Sequence, residues 1–568
     1  MRVEIDGVGA GRAPEARHPP RRPAAARKAW WRLDRFDFFV LLAFGALSVW
    51  VLALDLFQVV AHGLVWTGTD GFYLVDQMQY LAWIRDASHH VLASNLFVLR
   101  STPQDYFQPA VLVSGGLSAL GVVPWLALLL WKPVAVIAAV YGVRAYVGRN
   151  LQGLWPRRVA LVLGLFFGSF TIIYGSVGIV GDLFPAFLSW GYTFGLLALA
   201  AMLFALVAYD RARSRAGRIA WAPPALSALA SSLHPWQGEL LILIVIGTEL
   251  ALWRRERRGP RGLVLPAATV IATGIPLLYY VALGHLDLSW QLARDASKHS
   301  FSLATIVLGL VPLLLPALFA VRGAPRTFMA TATRAWPLAA LVIYVLSASD
   351  VSATPLHAFE GISIPLAVLA TQGVQRTRLA RVPHRRAFAA AAVALLTIPA
   401  IWYSLQSART IVAPAPGNAN FITADEGRAL SYLAHDRQPG GVLTRFYLGS
   451  LIPAETGRRT FVGDCLWSQP GCGPRAQLAQ DLFDAAITPA RARMFVTNTG
   501  ARFVLADCDT TADVRSILAP MLESVHRFGC AAVYVLASPA SPRGPLAESP
   551  SDAAVRASGR QQRRVQSS

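Results

Sequence analysis

Between residues 37 and 407 the chain is a succession of apolar runs, at 37–60, 158–175, 190–209, 222–233, 236–253, 263–283, 302–321, 336–348, 360–374 and 387–407, with two further pieces between Phe107 and Val143. About 20 apolar residues cross a bilayer as a helix, which satisfies every backbone group without water. This pattern predicts a polytopic α-helical membrane protein. The links alternate in character. DRARSRAGR at 210–218, WRRERRGPRG at 253–262, RGAPR at 322–326 and QRTRLARVPHRR at 375–386 are basic, whereas the links between them carry Asp, Glu and His. Basic links belong in the cytoplasm, so the N-terminus is expected there and the acidic links outside. The count is about 11–13 crossings.

The same rule accounts for the charge. Lys and Arg total 52 against 32 Asp and Glu, a formal +20, and 54% of residues are hydrophobic. No basic patch is interleaved with aromatics, which argues against a nucleic-acid partner. Residues 1–35, rich in Arg, Pro and Ala, read as a disordered basic cytoplasmic tail, and residues 541–568 as a second disordered tail. A signal peptide does not fit, because the basic region is long and no small-residue cleavage site follows the run 37–60. The two pieces between Phe107 and Val143, split by GVVP at 121–124 and followed by Arg144, Arg149, Arg157 and Arg158, read as one net crossing by a broken helix. Lys132 within it is either a functional intramembrane charge or a snorkelling side chain beside Pro133.

The first outer link, 61–106, is the most unusual stretch. Asp70, Asp76, Arg85, Asp86, His89, His90, Arg100 and Asp105 crowd between two apolar runs. Within it Leu74, Val75, Met78, Leu81, Ala82 and Ile84 recur at helical spacing, predicting a helix over 74–88 that lies at the interface. Other outer links hold Asp182, then His234, Trp236, Gln237 and Glu239 in LHPWQGE, then His357 and Glu360 in TPLHAFEG. Carboxylates and imidazoles gathered on one membrane face predict a site there, although outer loops are polar simply because water surrounds them. His234, before the helix breaker Pro235, fits a site role or the satisfaction of nearby carbonyls equally well.

From Ala408 the texture is that of a soluble α/β domain, 408–540. Thr423 caps a predicted helix with Asp425 and Glu426 in its first turn. GVLTRF, RTFVG, RFVLA and AAVYVLA read as strands, and 475–499 and 511–523 as helices. All four cysteines fall here, which suits an oxidising compartment outside the cytoplasm. Pairing Cys465 with Cys472 and Cys508 with Cys530 is the simplest of three connectivities, with a zinc site as the rival.

Asp76-Gln77-Met78-Gln79-Tyr80 resembles the D-E-x-x-Y element in the first external loop of GT-C-type polyprenyl-phosphate-sugar glycosyltransferases, arabinosyl- and mannosyltransferases among them. Asp105-Tyr106-Phe107-Gln108-Pro109 is similar to their Asp-then-Pro entry to the second helix, and Asp182-Leu183-Phe184-Pro185 to a later acidic position. LSYL, VLTRF, LIPAETGRRTFVGD, ARFVLADC and CAAVYVLAS resemble the extracytoplasmic domain that closes many such chains. Gln77 stands where that family has its usual acid. The resemblance implies a GT-C-like membrane domain over 36–407 with an extracytoplasmic α/β domain behind it. It also implies sugar transfer from a polyprenyl-phosphate donor to a glycan, lipid or protein of the cell envelope. Asp76 would be the catalytic carboxylate, and Tyr80, Arg85, Asp105, Asp182, His234 and Glu239 would bind substrate, with Arg294 and Lys298 as further candidates for the phosphate. A divalent metal, Mg²⁺ or Mn²⁺, is allowed for, with its ligands unassigned. The competing readings are a transporter or flippase, which would be expected to show internal repeats, and a non-catalytic partner in envelope assembly.

Overall fold

The computed structural model describes residues 32–70, 74–169, 183–213, 220–256, 260–297, 302–323, 325, 327–348, 355–377, 384–413 and 417–537. In chain order the elements are α1 (Arg35–His62), β1 (Val65–Trp66), α2 (Leu74–His90), α3 (Pro109–Ala119), α4 (Pro124–Leu129), α5 (Trp131–Asn150), α6 (Leu154–Phe166), α7 (Pro185–Gly191), α8 (Thr193–Arg213), α9 (Ala222–Leu233), α10 (Pro235–Glu256), α11 (Val264–Leu286), α12 (Leu288–Ala296), α13 (Leu303–Val321), α14 (Phe328–Ala348), α15 (Ser363–Arg376) and α16 (Arg385–Ile411). A smaller unit follows: β2 (Phe421–Ile422), α17 (Ala424–His435), β3 (Val442–Leu443), α18 (Phe446–Thr456), α19 (Cys472–Phe483), α20 (Pro489–Thr499), β4 (Phe503–Ala506), α21 (Val514–Leu518), β5 (Leu522–Phe528) and β6 (Ala531–Leu536). Among the described residues eight helical stretches are long and apolar enough to cross a membrane, and the chain is a multi-pass membrane protein.

The bundle is pinned at the start and at the middle of α1. Near its start, Arg144 Nε donates to Asp37 at 2.5 Å and Arg158 to Asp34 at 3.0 Å. Deeper along α1, Lys132 donates to the Ser48 carbonyl at 2.8 Å. Residues 132 and 144 therefore run antiparallel to 48 and 37. The break expected at GVVP separates α3 from α4, and α4 with α5 forms one apolar stretch of 27 residues, Pro124–Asn150, long enough to cross a membrane. Large apolar side chains such as Phe39, Ile271, Leu278 and Leu395 face outward, as a lipid-facing surface requires.

Helix α2 forms where the 3.6-residue periodicity puts it, but it does not lie on an open interface. Met78, Leu81, Ala82, Trp83, Ile84 and Ala87 are buried, and so are Gln77, Gln79 and Asp86 on the other faces. It is clamped between α3 and α18, so its polar side meets protein rather than water.

In the C-terminal unit the sheet order is β3-β4-β6-β5, with β3 parallel to β4 and the other pairs antiparallel. Thr423 and Glu426 form the full capping box of α17. Both disulfides, Cys465–Cys472 and Cys508–Cys530, pair as the simplest connectivity expects, and no cysteine is free for zinc. Three expectations need correction. The stretch 475–499 is two helices, broken where Thr488 caps Pro489. The stretch 511–523 is a short helix followed by β5, a strand missed because its alternation, LESVHRF, is half polar. RTFVG forms only an isolated bridge, Thr460 to Val442. A further two-stranded pairing, β1 with β2, ties the end of α1 to the segment after α16.

Candidate functional site

Three of the residues expected at a site, Asp76, Tyr80 and His234, lie near one another where α2 passes beside the C-terminal unit. Asp76, in the first turn of α2, is half-buried, and Tyr80 lies one helical turn on, on the same face. Tyr80 hydrogen-bonds Tyr192, and Tyr192 Oη lies 2.9 Å from Nε2 of His234. Pro235 cannot continue α9, so His234 takes an extended conformation (φ −154°, ψ 107°) between α9 and α10. Its Nδ1 lies 3.3 Å from Oε2 of Glu360. Glu360 is fully buried, accepts from Gln237 Nε2 at 2.9 Å, and lies 2.7 Å from Nδ1 of His357. The 3₁₀ turn Pro355–Phe359 sets His357 and Glu360 three residues apart on one side, and Gly361, at φ +70°, takes the chain into α15. Trp236 closes the group, its ring 4.4 Å from His357. Burial, with the Asp76 charge adding to it, pushes the Tyr80 phenol far up, and burial beside His357 holds His234 neutral.

The residue that sequence reasoning missed is Asp464. It comes from the C-terminal unit, is 2% exposed, and accepts from Leu466 N at 2.8 Å through Oδ1. Oδ2 has no hydrogen-bond partner among the described residues. Burial first, and then the Asp76 charge, push its carboxyl up to about 7. The loop that carries it is closed by Cys465–Cys472 and anchored by Trp467, whose Nε1 donates to Gln79 Oε1 at 2.5 Å. Trp467 also joins Trp83, Tyr106 and Trp290 in an aromatic cluster with centroids 4.1–6.4 Å apart. The available signal was an acid beside a Cys-bounded loop with an apolar anchor, GDCLWSQPGC.

Other expected residues lie elsewhere. Asp105 shares a hydrogen bond with Asp287 at the α11–α12 corner, and burial together with that second carboxylate pushes it up. Arg85, expected to bind substrate, turns to the C-terminal unit instead, donating to the Ala454 carbonyl at 3.3 Å and facing Glu455. Glu239 is half-buried on α10. Asp182 and Lys298 lie outside the described residues. Arg294 is part-exposed on α12, one turn beyond Trp290. Gln77 is not a vacant acid position but a clamp: its Nε2 donates to the Asp70 carbonyl at 2.5 Å and its Oε1 accepts from Asp70 N at 3.0 Å. Asp70 in turn forms a buried ion pair with Lys132, which settles Lys132 as a buried partner and not a snorkelling side chain.

One ligand atom from each of His234, His357 and Glu360 lies within 4.8 Å of the others, a spacing that could hold a metal ion. The second such group, Asp425 with Cys508 and Cys530, contains sulfurs already joined to each other.

No family model matches the chain, and neither does any curated protein. Among solved structures, the Archaeoglobus fulgidus oligosaccharyltransferase in its apo form is similar at 12% identity, covering 87% of this chain and 72% of that one with a TM-score of 0.52. The same enzyme tethered to an acceptor peptide containing an NVT sequon is similar at 13% identity, covering 91% and 76%, with a TM-score of 0.48. The chain has a GT-C-type fold. The likeness extends through both the helical bundle and the C-terminal unit.

Proposed function

We propose that this protein is a membrane glycosyltransferase that takes a sugar from a polyprenyl-phosphate donor and passes it to a hydroxyl of an extracytoplasmic glycan, lipid or protein. The observation that carries this reading is the meeting of Asp76 and Asp464, from two parts of the chain, beside the buried Tyr80–Tyr192–His234–Glu360 chain. Disulfides in the C-terminal unit support an oxidising side for this face.

In the reaction the acceptor oxygen attacks the anomeric carbon while the bond from that carbon to the phosphate oxygen breaks. The hydroxyl proton passes to Asp76, and the polyprenyl phosphate leaves with the bonding electrons. Asp464, buried and with its carboxyl pushed up to about 7 by burial and by Asp76, holds a proton at acidic to neutral pH and so leaves Asp76 as the charged carboxylate of the pair. Arg294 is the outward cation suited to the departing phosphate.

The test uses purified protein in nanodiscs with a panel of polyprenyl-phosphate pentoses and hexoses, reading release of polyprenyl phosphate in the presence of envelope extract. Asp76→Asn keeps the shape and removes the base, so the rate should fall roughly 10²-fold or more with folding unchanged. Full activity in the variant would remove Asp76 as the base. Movement of a substrate across the bilayer without sugar transfer would replace the whole reading with a transporter.

A further inference from the structure

We propose that His234, His357 and Glu360 are a binding site for a divalent transition-metal ion of the Zn²⁺ class, with Gln237 beside them. This rests on the glycosyltransferase reading only for its use, since the site is argued from its own atoms. Four polar side chains from two separate segments are packed into a space of a few ångströms, and three of them, His234, Gln237 and Glu360, are at most 3% exposed.

The hydrogen bonds do not close. Glu360 Oε2 accepts from Gln237 Nε2 at 2.9 Å and Oε1 is 2.7 Å from His357 Nδ1. His234 engages Tyr192 through Nε2 at 2.9 Å, yet its Nδ1, 3.3 Å from Glu360 Oε2, has no hydrogen-bond partner among the described residues. Gln237 Oε1 is likewise buried with no hydrogen-bond partner among the described residues. Exchanging the oxygen and nitrogen of the Gln237 amide gives no relief, because it would set an oxygen against the carboxylate. Leaving one such buried group unmet costs about 1–3 kcal/mol. Both orphans present lone pairs when His234 carries its proton on Nε2, and both neighbour a carboxylate. A cation satisfies all of them at once.

The donor set selects the ion. Two imidazoles and one carboxylate form a common three-ligand zinc arrangement with a further position left open, and imidazole also suits Fe²⁺ and Ni²⁺, whereas Mn²⁺ favours oxygen ligands. Mg²⁺, which prefers oxygen ligands and retains its waters, is disfavoured. The expectation of Mg²⁺ or Mn²⁺ therefore shifts toward zinc-like chemistry. Trp236 packs tilted against both imidazoles, at centroid distances of 4.8 and 4.4 Å, and limits their movement.

The experiment is metal analysis of the full chain, purified in detergent with a streptavidin-binding tag so that no polyhistidine is present. After chelation and dialysis, the protein is reloaded with Zn²⁺ alone, and the bound metal per chain is measured by mass spectrometry. About one equivalent should remain after gel filtration, and Glu360→Gln and His357→Ala should each lower retention at least tenfold. Because either variant could fail to fold, the wild-type chain is also loaded with Co²⁺, whose visible d–d bands and nitrogen couplings report imidazole ligation directly. Failure of the wild type to retain Zn²⁺, or a Co²⁺ spectrum without nitrogen coupling, would overturn the site and leave a water-filled polar pocket. Asp76→Asn should keep full metal content, so loss of sugar transfer with metal retained separates the failure of one proposal from that of the other.

Discussion

At Asp70 and Lys132 two charges are withdrawn from water in the same place, each at most 4% exposed. Lys132 also donates to the carbonyls of Ser48 and of Trp190, the latter at 2.6 Å, so its three protons are all used. Removing one partner of such a pair typically costs about 3–5 kcal/mol, because the other charge is left buried and unpaired. Lys132→Met should therefore lower thermal stability sharply, and adding Asp70→Asn should recover most of the loss. A double variant no better than Lys132→Met alone would show that the carbonyl contacts dominate. A pH dependence is expected at Asp464. In the folded chain its carboxyl titrates near 7, and in the unfolded chain near the ordinary carboxylate value. Between those values the folded state binds the extra proton, so this residue's contribution to stability is present at low pH and is lost as pH rises toward and through about 7. Wild-type melting temperature should fall between pH 5 and pH 8 by more than that of Asp464→Asn. Parallel pH profiles would mean that the carboxyl does not titrate in that window.

Whole elements explain why some of this was readable and some was not. The apolar stripe of α2 and the Thr423–Glu426 cap are local patterns, and both formed as their spacing dictates. The partners of Gln77, Asp70 and Asp464 are set by contacts across 7, 62 or several hundred positions, which no local pattern encodes. Polar loop residues looked equivalent in the sequence, yet Arg85 docks the C-terminal unit and His234 joins a buried chain. Close approach adds a further constraint. A Cβ at Gly191, the last residue of α7, would collide with the Gln77 amide and lie close to the Asp70 carbonyl. Gly191→Ala should thus displace the start of α2 and lower the transfer rate with little effect on the rest of the bundle. Unchanged kinetics in that variant would show that the clamp does not position Asp76.

The molecule as a whole consists of a bundle with an apolar outer surface and a C-terminal unit that brings Asp464 beside Asp76. The loop carrying Asp464 reaches the bundle through Trp467, and each aromatic contact there is worth about 0.5–1.5 kcal/mol beyond its buried area. The Cys465–Cys472 bridge holds that loop closed, so reduction should loosen the seat of Asp464 and Trp467 before it disturbs the helices. Such a bridge persists only if the unit lies on the oxidising side of the membrane. The basic links at 210–218, 253–262 and 375–386 then lie on the other side, as their charge demands. Single cysteines placed at exposed positions such as Arg437 and Arg491, in a chain whose four native cysteines stay paired, should be labelled in intact cells by a membrane-impermeant maleimide. A cysteine at Arg255, in the basic link, should be labelled only after the cells are opened. The reverse pattern would put the disulfides in a reducing compartment and the candidate site beyond the reach of an extracytoplasmic acceptor, and the proposed direction of transfer would fall with it.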